Sequence, residues 1–565
     1  IRISADLAIL KRNADKIDFY RISGKSQVPA WIESFDYYSP DRIEMLQGTL
    51  TFNPMRVLYN FLVESKRNWA YFGDILAKNN KEYKALMPGF NLFVKAGYIN
   101  YDPKTDVISF TKMGRHYAQV QFAKKDFDKF FVASNANQIS RDSANISIDL
   151  AAQKLIVRGV KEVTVSDSLK ANFIPSDRQI VFSKGRDFDF KGEIKIGNYR
   201  FRGPLFDFNF SNFSVNFKEI DSITFLPKLK DGSLGNRELG GQFKYGAGTI
   251  LLSPPNNKSG RLGVAEYPKL IIPTGVISYF NEPWRAKGVY GKEFYFKVPR
   301  IELDSLTQKE ITFEGSFYTD GLIPTLKVSL VLMPDQSFGF KYTSKAPLDL
   351  YKKQAKYIMS EPLLMDKLGL HASGTLQILS LSSIQKSTYF YPDSLISAAL
   401  EGKMASNYQG KNIFPETKWA AHNFIWRPSQ DSLWVKPIKN QIAFYQNQVH
   451  LDGQMGVHNK KVFARGKLVF GDGVFVSNHF NLGFSLWQTN QSEMRIGRQM
   501  SSFKPAIFTK AIRAEANLLT QKVSIKPSVE TLSSREESPI IFPYIAYQSI
   551  LTEALWDLKA ERFKM

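Results

Sequence analysis

The stretch Phe188-Asp189-Phe190-Lys191-Gly192-Glu193-Ile194-Lys195-Ile196, followed by Tyr199-Arg200-Phe201 and Phe206-Asp207-Phe208-Asn209-Phe210, decides the fold class. Apolar and polar residues alternate through it, interrupted only by glycine. Successive side chains of a strand point to opposite faces, so this pattern predicts strands with one buried and one solvated face. A glycine inside such a strand marks a bend, a bulge or a close backbone approach.

The same unit recurs. Glycine sits in a short alternating strand at Gly192, Gly240-Gly241, Gly315, Gly374, Gly402, Gly453 and Gly466. A second element, Asp-Ser before an aliphatic residue, appears at Asp167, Asp221, Asp304, Asp393 and Asp431. Both side chains bond to nearby backbone N–H groups and shape turns, so these read as strand-entry turns. The uneven spacing predicts an irregular array. The expected class is mainly β: an elongated or multi-layer array of antiparallel or solenoid-like units.

One segment differs. Asn53-Pro54 is an N-cap followed by proline at the first helical position, and Val57, Leu58, Phe61 and Leu62 recur at helical spacing. Further helices are expected over Gly73–Lys78 and around Leu86–Val94, with Pro88 interrupting the latter. A hairpin, Tyr98–Tyr101 and Val107–Phe110 around Asp102–Asp106, comes next, then a short helix from Thr111. This order resembles a winged-helix domain. The expected organisation is a β end segment over 1–50, the winged-helix-like module over 51–130 and a β-rich domain over 135–345. A helical crossover over 346–370 and a second β-rich domain over 371–565 complete it.

Composition limits the function classes. The 565 residues exceed one ordinary core, and 44 Phe and 25 Tyr favour strands. A formal charge of +22 points to anionic partners: lipid headgroups, acidic glycans or nucleic acid. With no cysteine, disulfides and thiolate metal sites are excluded. No apolar run reaches the ~18–20 residues of a membrane helix. Ile540–Leu551 comes nearest and reads as core. The chain begins at Ile1 rather than Met, which gives the expectation of a processed product or a fragment of a larger parent protein.

No reaction is legible. The phosphate loop, dinucleotide fingerprint, HExxH helix and nucleophile elbow are missing from the sequence, so no catalytic residue, metal site or cofactor is expected. His450 and His458 flank a glycine strand without ligand spacing. Asp187 and Asp189 share a strand face, which solvation explains. Acids at the hairpin tip, Asp102 and Asp106, argue against nucleic acid as partner.

At the glycine strands the chain resembles the repetitive β regions of AsmA/TamB-like envelope proteins. Together with Phe390-Tyr391-Pro392-Asp393-Ser394 and the helical module, they also resemble very long Bacteroidota envelope proteins. The resemblance implies a periplasmic, outer-membrane-associated or cell-surface location. The leading expectation is a non-enzymatic envelope scaffold that contacts anionic lipid, glycan or a protein partner. One alternative implied by the resemblance is a bridge-like lipid carrier, with a groove lined by Ile194, Ile196, Phe206, Phe208 and Phe210. Another is a glycan-binding or glycan-processing protein, with Trp419, Trp426 and Trp434 as stacking residues.

Overall fold

A computed structural model describes residues 2–4, 7–11, 16–20, 30–48, 50–135, 144–226, 239–244, 246–306, 312–409, 412–497, 505–528 and 539–565. The fold is mainly β, and among the described residues its strands pair antiparallel, with parallel bridges at Ile413↔Lys461 and Tyr37↔Asp128. Among the described residues no helix is long and apolar enough to cross a membrane. The chain divides into two compact units: residues 1–278 with 298–311, and residues 279–297 with 312–565.

In the first unit the alternating stretch forms two long paired strands, Phe188–Ile196 and Tyr199–Asn209. Each is flanked by two short strands laid end to end. Ala171–Pro175 and Gln179–Phe182 pair with the first; Ser214–Phe217 and Ser222–Phe225 pair with the second. The period-two pattern sorts the faces as expected. Phe173, Phe182, Phe188, Phe190, Phe206 and Phe208 are buried together, with Phe188–Phe208 centroids 4.9 Å apart and Phe173 stacked on Phe190 at 5.1 Å. Each such ring contributes about 1.5–3 kcal/mol by leaving water. The opposite face carries ions such as Glu193, 2.8 Å from Arg202.

One pair on that face is unfavourable: Asp189 stands directly opposite Asp207. Burial, and then the Asp207 charge, hold the Asp189 carboxyl above its usual range. A raised carboxyl favours folding below the unfolded-state value and loses that contribution as pH rises through the folded one. Asp207→Asn is therefore expected to raise stability at pH 7 by up to about 1 kcal/mol, with the gain vanishing near pH 3. Thermal unfolding at both pH values checks this.

The glycine strands behave as bulges and close approaches. Register shifts occur at Phe190/Gly192, Ala372/Gly374 and Ala464/Gly466. Gly192 and Gly466 adopt φ of 141° and 129°, a region closed to residues with a Cβ. Among the Asp-Ser elements, those at Asp221, Asp393 and Asp431 lead directly into strands. Those at Asp167 and Asp304 instead follow strands Val163–Ser166 and Ile301–Leu303. Side chains of the latter two reach outside their turns: Asp167 pairs with Lys129 and Asp304 with Lys269, each at 3.1 Å, and Ser305 donates to Ala265 O.

The helical module also lies in the first unit. Helices α1 (Pro40–Gln47), α2 (Pro54–Ser65), α3 (Phe72–Asn79), α4 (Tyr83–Lys95) and α5 (Lys112–Phe122) accompany a three-stranded sheet of Trp69–Tyr71, Val107–Phe110 and Ile99–Asp102. Asn53 caps α2 through Arg56 N, and Thr111 caps α5 through Gly114 N. From α2 to the second hairpin strand the order is helix, strand, helix, helix, strand, strand. Two elements escaped the sequence reading. The expected all-β segment 1–50 contains α1, whose Ile43 joins the module core. Trp69–Tyr71 is a third strand too short to show periodicity. The module is fastened to the β framework. Arg261 donates to Val120 O at 3.0 Å and lies over the Phe127 ring, while Asp126 accepts from Lys258 N and Ser259 N at 2.7 and 3.0 Å. Arg186 bridges to Asp36 at 2.8 Å.

The expected helical crossover over 346–370 is not helical. Strands Leu348–Leu350, Ala355–Met359 and Leu363–Asp366 occupy it, in the interior of the second unit. Tyr351, Lys352 and Lys353 all have positive φ (46°, 57° and 70°) and turn the chain back. Leu348, Leu350, Ala355 and Tyr357 are buried at period two on each side. A tight turn between two short strands had mimicked helical spacing.

Candidate functional site

In the second unit, strands Gly369–Ile378, Leu381–Phe390, Leu395–Met404, His422–Arg427, Ser432–Pro437, Val449–His458 and Lys461–Phe470 pair successively into one antiparallel sheet. Its inner face is core. Leu376, Phe390, Leu395, Phe424, Val435 and Leu468 are fully buried.

Cross-strand register sets one row on the outer face. His371 lies opposite Tyr389, Tyr389 opposite Ile396, Ile396 opposite Ile425, and Ile425 opposite Trp434. Next comes Gly456, with the Phe463 ring lying over the space a Cβ would fill. Phe463 thereby meets Trp434 edge-on at 5.0 Å. An apolar, largely aromatic stripe thus crosses the solvent side of the sheet, where alternation calls for polar residues.

Polar residues border the stripe. On one side run Asn423 and Lys436, in mutual register, and the Gln454–Arg465 pair. Arg465 donates to Gln454 at 2.9 Å and lies over the Trp434 ring, 4.9 Å from its centroid. On the other side, Arg427, Ser432, His458 and Lys461 follow one another across the strands. A depression of about 970 Å³ opens among Trp284, Leu368, Tyr389 and Ile396. A second of about 640 Å³ lies among Tyr389, Ile396, Ile425 and Trp434. Tyr389 and Ile396 line both, so the two adjoin on the outer face and together make up the groove. Lys287 and Lys367 stand at the first depression, Lys436 and Arg465 at the second; Asp393 is the acid in the lining.

The expected site residues have different fates. Trp434 lines this groove. Trp419 and Trp426 point inward, each 4% exposed, and have no face for a ligand. Trp419 lies against Gly402, and its indole N–H donates to His422 Nε2 at 2.9 Å; Trp426 packs on Tyr351 at 5.1 Å. Ile194, Ile196, Phe206, Phe208 and Phe210 are all buried in the first unit, filling the interior alongside Phe130, Phe173 and Phe213. Phe210 also carries the Arg186 guanidinium at 3.9 Å. Asp187 accepts from Phe210 N at 2.7 Å and closes a hairpin end. Among the described residues, no group of three His, Cys, Asp or Glu side chains is placed to hold a metal.

His422 is held as a neutral ring. Its Nδ1–H donates to Ala420 O at 2.8 Å while Nε2 accepts from Trp419, and burial pushes its pKa down to about 4. A depressed pKa gives stability that is present above the unfolded value near 6.5 and lost as pH falls towards 4. Acidification through that window is expected to cost up to about 3 kcal/mol, and His422→Gln is expected to flatten this part of the profile. Urea unfolding between pH 4 and pH 7 measures it.

The groove residues Tyr389, Ile396 and Ile425 escaped the sequence reading, although a signal was present. Leu395-Ile396, Phe424-Ile425-Trp426 and Leu433-Trp434-Val435 are apolar at consecutive positions. A strand apolar on both faces has either two cores or one core and one contact surface. No protein-family model matches the chain, and no curated protein matches it.

Proposed function

We propose that this protein is a non-enzymatic structural component of a bacterial cell envelope, an extracytoplasmic β framework that holds an anionic partner on its surface. The observation that carries this reading is the outer-face groove, whose lining holds the cations Lys287, Lys367, Lys436 and Arg465 against one acid, on a chain of net charge +22. An apolar surface rimmed by one sign of charge suits a partner with apolar faces and opposite charge. The fastened module and the continuous sheets supply rigidity. The lipid-carrier alternative requires an open apolar lining, whereas the residues expected to form one pack against other aromatic side chains.

Fractionation of the native host tests the proposal. The protein is expected in the envelope fraction, accessible to protease added outside the cytoplasm, and released by high salt. Recovery in the cytosol, protected from protease until the inner membrane is broken, would contradict it.

A further inference from the structure

We propose that the outer-face groove of the second unit binds an extended acidic glycan. This rests on the framework reading above and assigns the chemistry of its anionic partner.

The floor supplies stacking surfaces. Trp284 lines the first depression and Trp434 the second; Tyr389 lines both, and Tyr391, in the first, is parallel to it within 10°. The C–H faces of sugar rings pack on such side chains, and Ile396 and Ile425 continue the apolar surface. Planar and hydroxyl groups line the same walls: Ser387, Asn423 and Gln454. These suit a ligand with hydroxyl groups along its length, because apolar contact alone would leave them unpaired.

Charge placement separates a glycan from a lipid. Cations stand in both depressions, Lys287 and Lys367 in the first, Lys436 and Arg465 in the second. A lipid carries its charge at one end. A polymer with an acid on successive residues presents charge throughout. From Tyr389 to Trp434 the groove crosses three interstrand spacings, roughly 14 Å at ~4.8 Å each, which accommodates a short oligosaccharide.

Calorimetric titration of the full chain with oligogalacturonate tests this, with neutral dextran oligosaccharides and phosphatidylglycerol–phosphatidylcholine vesicles as comparison probes. Oligogalacturonate is expected to bind and dextran not to. Trp434→Ala is expected to weaken binding at least tenfold. Lys436→Gln with Arg465→Gln is expected to weaken it and reduce its salt dependence. Tyr389→Ser provides a second variant at the centre, and thermal unfolding confirms that each variant is folded. Three results would overturn the glycan assignment: no binding of oligogalacturonate, equal binding of dextran, or binding indifferent to both Trp434→Ala and Tyr389→Ser. If the vesicles bind in its place, the assignment fails while the anionic-partner reading stands. If no anionic probe binds, both fail.

Discussion

Arg285→Ala is expected to destabilise the second unit by about 3–5 kcal/mol, the cost of removing one member of a buried ion pair. The Arg285 side chain is fully buried. Its Nε donates to Glu282 at 2.9 Å, and its terminal nitrogens donate to Asp366 O and Phe338 O at 2.7 and 2.9 Å. The guanidinium also lies over the rings of Phe280 and Trp284, at 4.9 and 4.8 Å. Alanine leaves the Glu282 carboxylate and two carbonyls without this donor, and removes support from a groove wall. Lysine is expected to restore only part, since one ammonium cannot reproduce the planar fork. Urea unfolding followed by circular dichroism gives the value; a loss below about 1 kcal/mol would contradict this account of the packing.

The second large effect falls on a tryptophan. Trp419→Ala is expected to cost about 3–5 kcal/mol, combining lost burial, a cavity over Gly402 and a lost donor to His422. Trp434→Ala is expected to cost about 1 kcal/mol, because that ring is half-buried on the outer face. The two variants measured side by side separate a core residue from a contact residue. Equal losses would show that the faces have been misassigned.

This contrast shows what could be read in the chain beforehand. Period-two alternation at Phe188–Phe210 was strong enough to give strands, buried faces and the glycine bulges. Helix α2 announced itself through Asn53-Pro54. The segment 346–370 misled because strands of three to five residues joined by a tight turn are too short for their period to emerge over the turn residues. Helix α1, eight residues long, has Ser39-Pro40 as its chief signal. The groove was half legible. Trp434 could be singled out by residue type, but type alone did not distinguish it from Trp419 and Trp426. That distinction depends on strand register, which long-range pairing sets.

The division of this sheet into a core face and a solvent face can be read directly along one strand. The chain lacks cysteine, so single introduced thiols report accessibility without background. Four consecutive residues on one strand suffice: Ile396→Cys, Ser397→Cys, Ala398→Cys and Ala399→Cys. Ile396 is 40% exposed, and Ser397 and Ala399 are 3% and 4% exposed. The rates of thiol labelling are expected to alternate, fast at positions 396 and 398 and slow at 397 and 399. Oligogalacturonate is expected to slow the two fast sites. Equal rates at all four positions, or alternation in the opposite phase, would contradict the account.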